Sequence, residues 1–272
     1  QGRSFDCGDS GSTKNDRGAN CKQQGQKIMS AFYFKQLRDV IYVLGIDARK
    51  FLHSQLANDI ASLQVGQSRY SLLLEPTGKL TSLLRVRCDS EESFTLDCDA
   101  GFGEISVARL GRFKIRIKCE ISSQAREFVA VRKLSADEFA KFSKLDNAKP
   151  AWREKDLALD FVLDHVADEL AISDVSIGAE SEFETARVQA LWPTMGVDMS
   201  SDSMPAETGL TDVAVSFTKG CYPGQELVER MDSRGSTAPH LLMRLPRVAD
   251  TLTNTSAVAG EQYVASGTEL GV

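Results

Sequence analysis

Aromatic and β-branched side chains crowd the run from Phe32 to Leu44, and Gly45 stops it, which is the pattern of a strand with a turn behind it. Asp47 stands where a helix N-cap would, and Phe51, Leu52, Leu56, Ile60 and Leu63 recur at helical spacing. Tyr70 to Leu74 and Leu80 to Val86 flank Pro76-Thr77-Gly78-Lys79, a strand-turn-strand signature, and Phe94 to Cys98 reads as a third strand. A helix over 103 to 113 follows. Ile115, Ile117 and Cys119 then alternate with Arg116, Lys118 and Glu120 as a half-buried strand. Phe128 to Val131 continues the sheet and Ala136 to Phe142 reads as helix. The polar stretch from Asp146 to Lys155 reads as a link between two halves. Glu180 to Leu191 is an amphipathic helix stopped by Trp192-Pro193, Met199 to Thr208 is loop, and Val213, Val215 and Phe217 read as a short strand. After Gly235, short apolar runs broken by Pro, Gly, Thr and Asn suggest the start of a small β-barrel. Strands outnumber helices without strictly alternating with them, so the expected fold is α+β with an antiparallel sheet.

Composition narrows the class. The 272 residues, 42% hydrophobic and 26% charged, exclude collagenous, coiled-coil and wholly disordered chains. No run approaches the ~20 apolar residues of a membrane span, and the N-terminal residues given lack the apolar core of a secretion signal, so a cytoplasmic protein with no membrane association is expected. The net charge of −6, without a window of clustered Lys and Arg, argues against direct nucleic-acid binding. Six cysteines, at 7, 21, 88, 98, 119 and 221, form no CxxC pair, and with three His in the chain they predict reduced thiols and no metal site. Residues 1 to 28 hold five Gly and almost no large apolar side chain, the composition of a disordered tail. Met29 opens a different texture and is expected to be the initiator, with the tail foreign to the native protein. The resulting division is a tail over 1–28, a folded region over 29–236 and a partial barrel over 237–272.

The chemistry concentrates in Ser216-Phe-Thr-Lys219-Gly220-Cys221-Tyr222-Pro-Gly224-Gln225-Glu226-Leu-Val-Glu-Arg230. A tight turn shaped by two glycines and a proline leads into a helix near Gly224, whose free N–H groups, with Lys219, create positive potential around Cys221. The thiolate is favoured in such a field, with Lys219 as its activator. Tyr222 offers a flat ring for stacking, and Gln225 and Glu226 an amide and a carboxylate able to pair with an aminopyrimidinone edge. The same residues also fit a purely structural reading. Glu226 and Arg230 lie four apart as a solvated helix pair would, and Cys221 would serve as a small buried hydrophobe.

The run Lys219-Gly-Cys-Tyr-x-Gly-Gln-Glu-x-x-x-Arg230 resembles, without a gap, the signature of the YgfZ-type folate-binding family, relatives of the glycine cleavage T protein (aminomethyltransferase). Asp47 to Leu52, Leu56 to Asp59, Pro76 to Lys79, Arg109 to Phe113, Arg187 before Trp192-Pro193, and Pro205 to Glu207 fall in the order that family uses, so the resemblance covers roughly residues 32 to 246. It implies a T-protein-like fold, with ferredoxin-like β/α elements around a central folate cavity and a small C-terminal barrel. It also implies tetrahydrofolate or a one-carbon derivative as cofactor, iron–sulfur client enzymes as partners, and an indirect effect on tRNA modification. Cys221 and Lys219 would carry the chemistry, and Tyr222, Gln225, Glu226 and Arg187 would shape the folate site. Arg187 would equally serve as a core ion pair, and Asp59 as a cavity residue or a solvated helix residue. Gly220, Gly224 and Arg230 would hold the motif. Two departures argue against aminomethyl transfer: Ser82 stands where the T protein carries its catalytic carboxylate, and Gln189 where it carries a pterin-binding Glu. Gly260 to Val272 resembles the beginning of the family barrel, and a truncated barrel is expected there.

Two rivals remain. Gly101-Phe-Gly103-Glu-Ile-Ser106, with Glu120 at the end of the next strand, comes close to a dinucleotide fingerprint but lacks the third Gly. A non-catalytic folate-binding scaffold is the other.

Overall fold

The computed structural model describes residues 30–145, 147–163 and 175–233, with residue 242 and the backbone of 263–265 and 268–271. Eight described strands form one sheet: β1 (Phe32–Leu44), β2 (Ser68–Leu74), β3 (Leu80–Ser90), β4 (Ser93–Asp99), β5 (Glu120–Arg132), β6 (Lys149–Ala151), β7 (Ala158–Val162) and the two-residue β8 (Ser176–Ile177). The spatial order is β2-β3-β4-β1-β5-β7-β6, antiparallel at each pairing, with β8 parallel to β1. The helices are α1 (Ala48–Gln55), α2 (Gly103–Gly111), α3 (Ala136–Phe142), α4 (Glu180–Gln189), α5 (Thr211–Ala214) and α6 (Gln225–Ser233). β4 and β5 both run antiparallel to β1, so they are parallel to each other, and α2 joins them across the intervening strand. This is the split β-α-β unit of ferredoxin-like folds. The expected α+β architecture with an antiparallel sheet is present.

The two faces of the sheet differ in chemistry. One carries Ile41, Val43, Leu84, Val86, Phe94 and Leu96 under α1 and α2, a fully apolar cluster. Farther along the same face, Val129, Val131, Leu159 and Phe161 pack with Phe142 of α3. The opposite face carries Arg38, Arg85, Asp97, Arg132 and Asp160. A side-chain bond across it measures the curvature: Arg85 on β3 lies 2.8 Å from Asp160 on β7. In a flat sheet those strands, four spacings apart, would stand about 19 Å from each other. The sheet is therefore curled into a half-barrel, and the charged face is the inside of the trough.

Several local expectations change. Helix α1 ends at Gln55 because Leu56 turns extended and bridges to Leu73; Ile60 and Leu63 lie beyond the helix yet are buried. Asp47 makes no cap bond and instead accepts the Lys118 N–H. Residues 115 to 119 are not a strand: Arg116 takes a φ of 60°, Ile115 is 76% exposed, and β5 starts at Glu120, which opens the strand instead of ending one. The stretch from Asp146 to Lys155 is not a linker, since Lys149–Ala151 pairs with β7 and buries Lys149 and Ala151. Val213 lies in α5, not in a strand, where its carbonyl accepts from Asn58 Nδ2. The supposed dinucleotide turn is occupied from within, because Asp39 Oδ2 accepts from the Gly101 and Gly103 amides. β9 (Tyr263–Ala265) pairs antiparallel with β10 (Thr268–Gly271). The tail over 1–28 and the remainder of the expected barrel over 237–272 lie outside the described residues, residue 242 apart.

Candidate functional site

A chain of buried ions crosses the trough. Asp97 accepts from Arg85 Nε (3.0 Å), Arg85 Nη2 (2.8 Å) and Arg38 Nε (2.8 Å). Asp160 accepts from Arg85 Nη1 and is ion-paired with Arg132 Nη1, each at 2.8 Å. Burial alone would raise the Asp97 carboxyl; the Arg85 and Arg38 guanidiniums overcome it and hold Asp97 well below the usual carboxylate range. Charged residues survive in strand interiors here because each finds an opposite charge and directed hydrogen bonds. This bridge divides the trough into two chambers.

The larger chamber, ≈ 450 Å³, is walled by Tyr70, Trp152, Pro150, Ala158 and Val213, with Arg85 at its floor and Ser68, Arg153 and Glu154 on its rim. Tyr70 packs on Trp192 with ring centroids 4.6 Å apart, and its hydroxyl accepts the Trp152 N–H at 3.2 Å. Burial pushes the Tyr70 phenol up, so it stays protonated. Trp152 holds a left-handed φ of 61°, a strained conformation for a bulky residue, with its ring 4.2 Å from the Arg132 guanidinium. Ser68 Oγ is buried and makes no hydrogen bond among the described residues. Aromatic walls with a few convergent polar groups, in a space of this size, are the ordinary make-up of a small-molecule site. The smaller chamber, ≈ 170 Å³, lies beyond the ion bridge along β3 and β6.

Pattern reading missed the chamber residues. Their trace in the sequence is a charge within an apolar strand: Arg85 after Leu83-Leu84, Asp97 between Leu96 and Cys98, Asp160 between Leu159 and Phe161. An isolated ion at an inward strand position is costly enough to need a partner, and three of them imply a shared interior.

The motif run occupies a different place. Helix α6 starts at Gln225 as expected, and Cys221 is exposed while Cys88, Cys98 and Cys119 are buried. Cys221 lines neither chamber. Lys219 Nζ is not free beside it: the ammonium donates to the carbonyls of His53 and, at 2.6 Å, Leu56, and lies 4.9 Å from the Tyr222 ring. Burial pulls the Lys219 amine down to about 8, against the opposing pull of Asp59 and Cys221. Tyr222 is buried in the apolar cluster of Leu72, Leu74, Leu80, Trp192 and Val228, which Tyr70 and Trp152 flank. The ring is thus a core anchor whose cluster reaches the larger chamber. Gln225 accepts from the Tyr222 N–H and donates to Glu229, while Glu226 and Arg230 form an exposed i,i+4 pair. Arg187 is buried, pairs with Glu184 and Asp198, and donates to the Trp192 carbonyl at 2.9 Å, the arrangement of a core ion pair. Asp59 is in a turn, not a helix, bonded to the Ala61 and Ser62 amides. Gly220 is open, whereas Gly224 (φ +87°) is packed so closely that a Cβ would fall 2.7 Å from the Glu75 carbonyl oxygen. Gly78 returns the contact, since a Cβ there would meet Leu227 of α6 at 2.7 Å. The Ser82 hydroxyl is buried against Ser106 of α2 at 2.7 Å, on the helix-covered side of the sheet. Gln189 is exposed and bonds Lys133. Among the described residues no His, Cys, Asp or Glu cluster could hold a metal, and no helix is long and apolar enough to cross a membrane.

The half-barrel and its trough define the class. A solved aminomethyltransferase T of the glycine cleavage system from Bartonella henselae superposes with a TM-score of 0.62 over 75% of this chain and 64% of that one, at 22% identity. The chain thus spans somewhat under two thirds of that enzyme. No family model matches the sequence. An uncharacterised protein of Haemophilus influenzae is 27% identical over 210 residues, 76% of this chain and 71% of its own length. The tRNA-modifying proteins YgfZ of Escherichia coli O157:H7 (22% over 253 residues) and Edwardsiella ictaluri (28% over 259) cover 84% and 85% of this chain and 76% of their own lengths. The chain is thus similar in fold to the T protein and in sequence to YgfZ proteins, the two resemblances its motif implied.

Proposed function

We propose that the protein binds tetrahydrofolate or a one-carbon derivative in the larger chamber and, through Cys221, supports the assembly or repair of iron–sulfur client enzymes in the cytoplasm, affecting tRNA modification indirectly. The single observation that carries the ligand is the chamber: two aromatic walls, Tyr70 and Trp152, and a lining Ser68 whose buried hydroxyl has no partner among the described residues. A flat, conjugated pteridine suits those walls, and Ser68 and the Glu154 carboxylate would meet its polar edge. When bound, the folate supplies nitrogens that carry a one-carbon unit. The chain's own groups orient the ring and exclude water. Tyr222, Gln225, Glu226 and Arg187, assigned to folate by resemblance, are committed to intramolecular partners, so ring binding is assigned to Tyr70, Trp152 and Ser68. Aminomethyl transfer is not proposed, because the hairpin position that would need a carboxylate is the buried Ser82.

For the thiol, the support is exposure together with rigid seating: Cys221 is held between Lys219, tied to α1, and Tyr222, tied to the core. One observation favours the scaffold reading instead, namely that Lys219 gives its hydrogen bonds to backbone carbonyls. Two measurements decide. Tetrahydrofolate should quench Trp152 fluorescence saturably, and a Trp152→Leu variant should lose about tenfold in affinity, the equivalent of one aromatic contact. A flat titration of the folded protein would remove the ligand assignment. Cys221→Ser should fold normally yet fail to rescue an iron–sulfur enzyme defect, whereas full rescue would leave the scaffold.

A further inference from the structure

The smaller chamber has a composition that folate binding does not use. It is lined by Arg87 from β3, Arg126 from β5 and Lys149 from β6, with Asp89, Thr95 and Tyr42. Among the described residues, three of its four charged side chains are cationic. The lone carboxylate, Asp89, is already engaged: it pairs with Arg87 at 3.3 Å and accepts the Thr95 hydroxyl at 2.6 Å. Lys149 is the unusual member. It is 4% exposed, and among the described residues it makes no hydrogen bond or ion pair, its ammonium resting 4.8 Å from the Phe128 ring centroid. Burial pulls its amine down, against the attraction of Asp97. A cation this deeply buried normally has an anionic partner. Asp97, the carboxylate on the adjoining bridge, is taken up by Arg85 and Arg38. The unmet demand of Lys149 thus faces the chamber.

We propose that the smaller chamber binds a small oxyanion, of phosphate or carboxylate type, with Lys149 as its central contact and Arg126 and Arg87 beside it. At ≈ 170 Å³ it admits one such group and little more. The chamber is separated from the larger one by the ion bridge, so this inference stands whether or not the larger chamber takes folate.

The test uses the full chain and two probes, inorganic phosphate and glutarate, each against chloride at equal ionic strength. Wild type should rise in Tm by roughly 3 °C with at least one probe at about tenfold excess over its Kd. Lys149→Met, which keeps the packing on Phe128, should abolish that rise while still quenching with tetrahydrofolate if wild type does. If Lys149→Met fails to fold, Arg126→Gln should weaken the same response at least several-fold. A response to phosphate alone would assign a phosphate group, and one to glutarate would assign a carboxylate. No stabilisation by either probe, or equal stabilisation of wild type and the variants, would overturn the proposal.

Discussion

The motif turn and the trough make opposite use of their residues. In the turn, groups that look reactive in the sequence spend themselves locally: Lys219 on two carbonyls, Gln225 on Glu229, Glu226 on Arg230, Tyr222 on the core. Cys221 is exposed without such a commitment, the one exposed thiol among the described residues. In the trough, ordinary strand residues gain their character from closure of the sheet, which brings Arg85 to Asp160 across three intervening strands. A recognisable run of residues thus builds a mount, while an unremarkable alternation builds the chambers.

The sharpest way to break that contrast is to open the ion bridge. Asp97→Ala strands Arg85 and Arg38 without their shared acceptor and should cost about 3–5 kcal/mol, read as a fall in the urea midpoint. A loss under about 1 kcal/mol would mean that the trough is not held by this bridge. Next in size is the mount. Gly224→Ala adds a Cβ at a left-handed position pressed on the Glu75 carbonyl, and should destabilise by about 2 kcal/mol. Unchanged stability would show that the turn is loose.

A smaller effect distinguishes Lys219 by pH. Its folded-state value of about 8 lies below its ordinary 10.5, so the unfolded chain binds this proton more tightly. Stability should therefore gain from this group as pH rises from about 8 toward 10.5, and Lys219→Met should remove that gain. Denaturation midpoints of the two proteins across this window, run in parallel, check the sign. Equal slopes would deny the burial of the amine. Smallest of all, Cys221→Ser should shift stability by less than about 0.5 kcal/mol, because the side chain is exposed. A larger loss would make the thiol a packing residue and refute its presentation.

Much of the fold was legible because the signals were local. The Pro76–Lys79 turn, the long β1, helix α3 and the start of α6 follow from turn chemistry, β-branched runs and capping. Residues 115–119 misled for an instructive reason: they alternate like a strand, but Asp47 takes the Lys118 amide and Arg116 turns left-handed, so pairing begins only at Glu120. Lys149–Ala151 escaped because three residues with a proline carry no periodicity, and edge pairing with β7 decides their state. The trough was written in the sequence only as charges inside apolar strands, and its geometry depends on curvature that no single strand encodes.

The contact between Gly78 and Gly224 has a mechanical meaning. With no side chain on either, the tip of the β2–β3 hairpin and the approach to α6 interlock backbone against backbone, three residues from the sulfur. Neither loop can swing without dragging its neighbour, so a protein pressing on the hairpin tip would be gripping, at one remove, the mount of the thiol itself.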